Sequence, residues 1–499
     1  MRLTQGKQAL GAALLVGGLL LTACGGPGGS ADQANRKVSR GSGADKPAAP
    51  SGTVGEGDRR STFALDVDTA SYGYARRSLG AGRLPEPRSV RPEEFVNSFR
   101  QGYPRPKGNG FSVTVDGART GDDGWRLMRV GLATAQAPAS GDRPPAALTF
   151  VVDISGSMAE AGRLDLVRES LATLTDQLDA DDSIALVTFS DEARTVLPMT
   201  RLGPRDGETR DTVKSAVDTL EPTDSTNLEA GVTTGYETAV KGARQGATNR
   251  VVLLSDALAN TGATSADTIL ERIADARREH GITLFGVGVG SDYGDALMER
   301  LADKGDGHTT YISTPADARK VFTEQLPANV QLRARDAKAQ VEFDEDKVTG
   351  FRLLGYDNRR VADDDFRDDR VDGGEVGPGH TVTALYAVKL REGAEGEVAR
   401  ATVRWLDPES RSPREAHGAV SASDLARPLW SPATPPRLRV AAAAGYFANH
   451  LNATAQDPLP GAPSLRQLSG YVAELASTTE DADVRELADA VRRARQLGD

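Results

Sequence analysis

The apolar positions of this chain fall into two regimes. Residues 147–152, Ala-Leu-Thr-Phe-Val-Val, form an unbroken run that reads as a strand buried on both faces. The same pattern returns at 250–255 and at 282–289. Between such runs the spacing turns helical, with Leu166, Val167, Leu171, Leu174 and Leu178 on one face of a helix over 163–178. Strands over 183–189 and 309–312 and helices over 208–220, 228–243, 266–280, 293–304 and 315–326 continue the alternation, with a short edge strand over 193–198. Strand and helix in alternation predict an α/β fold with a doubly wound, mostly parallel sheet.

Outside this stretch the regime is different. Strands are expected near 61–66, 111–115 and 125–132, with helices over 71–79 and 92–99, before Pro144-Pro145 mark a boundary. Beyond Leu326 the expected strands are 340–343, 351–356, 380–390 and 398–406. Neither set has enough strands for a comfortable sandwich alone. The two are therefore expected to pair, with the α/β domain inserted in one β-rich module. The acidic stretch 363–373 lacks a glutamate at the twelfth position of a calcium loop and reads as a solvated hairpin. After Pro432, Pro435 and Pro436 come helices over 437–451, 464–476 and 481–497, a C-terminal helical segment. The expected divisions are 61–144, 145–327, 328–430 and 431–499.

Composition changes the picture at the N-terminus. Arg2 and Lys7 precede the apolar stretch 9–21, which is too short to span a bilayer and reads as a signal peptide over 1–23. Leu21-Thr22-Ala23-Cys24 resembles the bacterial lipobox, which implies lipidation at Cys24, the only cysteine of 499 residues. Residues 24–60 are rich in Gly, Ser, Ala and Pro and read as a disordered tether of roughly 33 Å root-mean-square reach. An exported protein held to the membrane by lipid, facing away from the cytoplasm, is the expectation. Removing residues 1–23 takes away two cations and no acid, so the formal charge of −11 becomes −13. An acidic chain repels phosphate backbones, which excludes nucleic acid as the expected partner.

The candidate chemistry sits where the strand over 147–152 ends. Asp153, Ser155 and Ser157 place a carboxylate and two hydroxyls at the carboxyl end of a buried strand, where open α/β sheets hold ligands. Hard oxygens at alternate positions suit magnesium, while a capped helix start is the plainer reading. With Thr226 in Ser-Thr-Asn and Asp256 after an apolar strand, the five residues resemble the metal-ion-dependent adhesion site of von Willebrand factor type A domains. That resemblance implies direct coordination by the serines and the threonine, with the aspartates often acting through water. It also implies Mg2+ (Mn2+ or Ca2+ as alternatives) and a protein partner that offers an Asp or Glu carboxylate.

Asp66-Val-Asp68-Thr-Ala-Ser71-Tyr72, Tyr356-Asp-Asn358-Arg359 and Gly379-His380-Thr381 through Tyr386 resemble the flanks of a bacterial lipoprotein family built around such a domain. Two positions depart from the type A pattern: Ala257 stands where glycine is usual, and Asp224 where a small residue is. Asp66, Asp68 and Ser71 form a second oxygen cluster, for which a helix cap at Asp68 is the preferred reading.

No catalytic constellation emerges. Ser155 and Ser157 lie outside a Gly-x-Ser-x-Gly elbow, and the five histidines form no His-Glu-x-x-His pattern. A binding module for adhesion or complex assembly is expected rather than an enzyme. A component of a membrane or ATPase complex is the alternative, and a metal-dependent hydrolase a weaker one.

Overall fold

Strands from both sides of the α/β segment share sheets. The computed structural model describes residues 59–498 except 66–67, 122, 137–142, 161, 224, 257–267, 272, 274–278, 290–297, 299–300, 302–308, 323–325, 327–331, 370, 372, 409 and 453–458. The expected signal peptide, Cys24 and nearly all of the tether lie outside the described residues, as do Asp66, Asp224 and Ala257.

The chain begins with β1 (Arg60–Ala64), α1 (Ala70–Gly80), α2 (Pro92–Asn97), β2 (Phe111–Arg119) and β3 (Trp125–Thr134). The α/β domain follows with β4 (Ala146–Asp153), α3 (Arg163–Gln177), β5 (Ser183–Phe189), β6 (Ala193–Arg201), α4 (Glu208–Asp218) and α5 (Leu228–Lys241). It continues with β7 (Thr248–Ser255), β8 (Thr283–Val289), β9 (Thr309–Ile312) and α6 (Pro315–Lys320). Then come β10 (Arg335–Phe343), β11 (Val348–Leu353), β12 (Thr381–Leu390), β13 (Glu397–Leu406) and β14 (Pro413–Ser421). The chain closes with α7 (Pro436–Leu451), α8 (Leu465–Thr479) and α9 (Ala482–Gly498).

The α/β domain holds a six-stranded sheet in the order β6-β5-β4-β7-β8-β9. All neighbours are parallel except β6, which runs antiparallel to β5 at the edge. Every residue of β4 is buried because helices cover both faces. Leu148, Phe150 and Val152 meet Leu166, Val167 and Leu171 on one side, while Val151 joins Val232 and Tyr236 on the other. This is the period-two alternation of a strand meeting the 3.6 period of helices. Helix α5 lies close because glycine faces the sheet: a Cβ at Gly235 would stand 2.3 Å from Val151 Cγ2.

Around the insertion, two four-stranded antiparallel sheets run β1-β10-β13-β14 and β11-β12-β3-β2. Strand β3 pairs with β12 from Ala133–Thr381 to Trp125–Lys389, and β1 pairs with β10 through Phe63–Ala339. The expected sharing of one β module holds. The sheets face each other over Met128, Val130, Val341, Tyr386 and Val403, with Phe343 and Phe351 stacked at 4.0 Å. Intervening residues such as Leu127 and Leu385 point to the opposite face, where α1, α2, α7, α8 and α9 cover them.

Two expectations fail here. The acidic stretch is no hairpin: Asp363–Arg367 is a 3₁₀ turn whose Phe366 is buried, and Asp363 accepts a 2.6 Å hydrogen bond from Thr62. An aromatic anchor and several long-range hydrogen bonds, including Gln340 to the Asp363 carbonyl and Lys338 to the Asp368 carbonyl, outweigh the solvation of the surrounding acids. Strand β14 was not expected, because most of its side chains face solvent and leave no apolar alternation to read.

Candidate functional site

Strands β4 and β7 lie side by side and parallel, so their carboxyl ends deliver Asp153 and Ser255-Asp256 to one place. Ser255 Oγ donates to Asp153 Oδ2 at 2.6 Å, and the Ser155 amide donates to Asp153 Oδ1 at 2.8 Å. The Ser155 and Ser157 hydroxyls lie 3.0 Å apart. Asp153 is fully buried, and burial pushes its pKa up to about 6. The bonds from Ser155 and Ser255 pull the other way, while the nearby Asp256 charge adds to the rise.

Asp256 is also fully buried. Its Oδ2 accepts a 3.0 Å hydrogen bond from Arg163 Nη1, while Oδ1 has no hydrogen-bond partner among the described residues. Arg163 opens α3 directly after Gly162, whose φ of 90° turns the chain through the left-handed region. The same guanidinium donates to the Ser157 carbonyl at 2.9 Å and pairs with Glu160 at 2.8 Å.

Thr226 is buried in the loop before α5. That loop is pinned twice: the Thr223 amide donates to the Ile154 carbonyl, and the Asn227 amide to the Ser190 carbonyl, each at 2.6 Å. Asn227 also caps α5 by accepting from the Ala230 amide at 3.1 Å. Thr226 is thus held between the ends of β4 and β5.

Asp153, Ser155 and Ser157 therefore form one hydrogen-bonded cluster, and Arg163 ties Asp256 to the backbone of that cluster. Thr226 is secured beside it. The donor set is two carboxylates and three hydroxyls, all hard oxygens. A buried carboxylate oxygen without a partner carries a large desolvation cost, which a cation relieves. The residues fit a small divalent cation. No group of three or more His, Cys, Asp or Glu poised to hold a metal exists among the described residues, so any metal here depends on hydroxyls.

Sequence reasoning missed Ser255 and Arg163. Ser255 carried no signal beyond its place before Asp256. Arg163 did carry one: a cation in the first turn of a helix opposes the helix dipole, and such broken local rules mark functional places.

The second oxygen cluster is a different object. Asp68 accepts from the Thr309 amide at 2.6 Å and pairs with Arg359 at 3.0 Å, deep in the protein. Ser71 turns elsewhere, donating from its amide to Glu94 and from its hydroxyl to the Ser89 carbonyl. Asp68 is not the helix cap either: Thr69 holds that position, with no side-chain bond.

Comparison with known proteins matches residues 147–324 to the von Willebrand factor type A domain, 51–126 to a von Willebrand factor family, and 328–426 to the C-terminal domain of the uncharacterized protein YfbK. YfbK of Escherichia coli is 34% identical over 407 residues, covering 77% of this chain and 70% of that protein. The uncharacterized protein sll0103 of Synechocystis is 26% identical over 209 residues, 42% of this chain and 47% of its own. Among solved structures, a von Willebrand factor type A protein from Catenulispora acidiphila is similar with a TM-score of 0.45 at 17% identity. It covers 78% of this chain and 91% of that one. The VWA2 paralog of ArnB from Sulfolobus acidocaldarius gives 0.39 at 16% identity, covering 78% and 98%. With the inserted domain, its flank and most of the chain matched together, this protein belongs to the YfbK-like family of von Willebrand factor type A proteins.

Proposed function

We propose that the protein binds another protein through a divalent cation held by Asp153, Ser155, Ser157, Thr226 and Asp256, and that Cys24 anchors it by lipid to the outer side of a membrane. Type A domains generally mediate protein–protein interactions, which makes binding the starting point for this chain. One observation carries the metal: the Asp256 carboxylate is buried with one oxygen unpartnered among the described residues, in the same cluster as a pair of serine hydroxyls and a second buried carboxylate. Magnesium is the preferred ion, with manganese or calcium as alternatives, because the ligands are all oxygen.

The cation would supply a Lewis-acidic point that an Asp or Glu side chain of the partner can bond. The three hydroxyl ligands add no negative charge to that of the two carboxylates, which leaves the ion electrophilic toward an incoming acid. The chain's own residues do the rest. Ser255 and the Ser155 amide orient Asp153, and the pinned loop keeps Thr226 in place.

Calorimetry with Mg2+ and Mn2+, alongside capture of partners from membranes with and without EDTA, tests the reading. Wild type is expected to bind metal and to lose its partner in EDTA. No metal binding by wild type overturns it. Membrane fractionation of Cys24→Ser tests the anchor, and unchanged fractionation refutes it.

A further inference from the structure

Arg163 is a buried cation within hydrogen-bond distance of a proposed metal ligand, and no role in the binding reaction has been given to it. Only 5% of its surface is exposed, so water does little to screen its charge. A guanidinium stays ionised in proteins and presents several donors in a fixed plane. Those donors reach, among others, the Asp256 carboxylate, the Ser157 carbonyl and Glu160. Glu160 has 60% of its side chain in solvent, whereas Asp256 is fully buried against the guanidinium.

We infer that Arg163 is the built-in counter-cation of Asp256, holding divalent-metal affinity down while keeping the loaded site positively charged. The inference rests on the metal-binding reading above. Without a metal, two buried carboxylates and one guanidinium leave one net negative charge, which the fold tolerates better than two. A divalent ion then takes the pocket to one net positive charge, and an acidic ligand completes neutrality. Without Arg163 the same ion would reach neutrality alone, with no surplus charge for an acid. Arg163 therefore sets both how firmly the ion is held and the sign of what the loaded site prefers. It acts through Asp256 and the Ser157 loop, and is a positioning residue in that sense.

The test measures Mg2+ and Mn2+ affinity by calorimetry for wild type, Arg163→Gln and Arg163→Lys, with thermal unfolding in EDTA and in saturating Mg2+. Arg163→Gln should bind metal at least about ten-fold more tightly, since one nearby like charge is gone, an effect that reaches ten-fold even under water-like screening. Arg163→Lys keeps the charge and should stay within about three-fold of wild type. In EDTA the Gln variant should unfold at a lower temperature than wild type, and saturating Mg2+ should raise that temperature by more than in wild type. Should the Gln variant not stay folded in EDTA, chelator competition from the loaded protein gives the same affinity comparison. Equal or weaker metal binding by Arg163→Gln overturns the inference, as does a Lys variant as tight as the Gln one. If wild type itself binds neither ion, the metal reading falls first and this inference with it.

Discussion

Asp68 and Asp153 begin as lookalikes: each stands near the end of a strand, with a hydroxyl residue two or three positions on. Their environments diverge completely. Asp68 has both carboxylate oxygens occupied, one by the Thr309 amide and one by Arg359, which come from the inserted domain and the C-terminal flank. It fastens three parts of the chain together. At Asp153 the partners are hydroxyls and an amide from its own loop and the adjoining strand, and its neighbour Asp256 keeps one oxygen without a partner among the described residues. Oxygen spacing along the chain does not by itself mark a structural bolt. A guanidinium and an amide brought to both oxygens of one carboxylate do.

The contrast breaks most visibly at Arg359. Arg359→Ala strands a buried carboxylate, and urea unfolding should show a loss of about 3–5 kcal/mol. The Asp68→Ala, Arg359→Ala pair should cost less than the sum of the single changes, because the two groups serve each other. A loss under about 1 kcal/mol would mean Asp68 is not the bolt described.

At the other cluster the effect depends on pH. Asp153 has a folded pKa of about 6 against an ordinary value of 3.8. In that window the folded state holds a proton that the unfolded state has released, so stability falls as pH rises through it. The full shift corresponds to about 3 kcal/mol. In EDTA, Asp153→Asn should match wild type near pH 4 and exceed it by roughly that amount at pH 7, read by urea unfolding at each pH. A difference independent of pH would refute the assignment.

Metal affinity separates the clusters directly. Asp153→Ala should weaken Mg2+ or Mn2+ binding about 10- to 100-fold with circular dichroism near wild type, while Asp68→Ala leaves affinity where it was. The smallest effect belongs to an ion pair at the surface. Arg367 and Glu415 are well exposed, so Arg367→Ala should cost less than about 1 kcal/mol in the same unfolding measurement. Similar losses at Arg367 and Arg359 would show that burial is not what distinguishes the bolt.

The architecture was largely legible where burial imposes a period. The unbroken run of β4 and the one-sided spacing of α3 announced themselves, since a strand covered on both faces is mostly apolar throughout and a helix covered on one face is mostly apolar there. Counting strands was enough to foresee the insertion. Strand β14 was illegible because its outward side chains answer to solvent, and the 363–367 turn misled because one buried Phe366 outweighs a run of acids. At the site, the side chains that share a loop could be grouped from spacing. Arg163 and Ser255 could not, because their roles exist only once α3 and β7 are brought to the end of β4.

The insertion also sets an order of events when the chain folds. Ala133 and Thr381 are pairing partners, yet the whole inserted domain lies between them. The inserted domain's own pairings span shorter stretches of chain, Ala146 to Thr248 against Ala133 to Thr381, so its loops close at a lower entropic cost. Its entrance is fastened within itself, the Thr248 amide donating to the Pro145 carbonyl at 2.8 Å and the Ala146 amide to Asp182 at 2.7 Å. Once formed, it replaces a long floppy loop by a short rigid one and lowers the entropy lost in joining β3 to β12. Until then the β2–β3 hairpin waits with an open edge, and open strand edges are prone to aggregate. Substitutions that slow the inserted domain, such as a side chain at Gly235, should therefore reduce soluble yield through a hairpin far from the mutated residue.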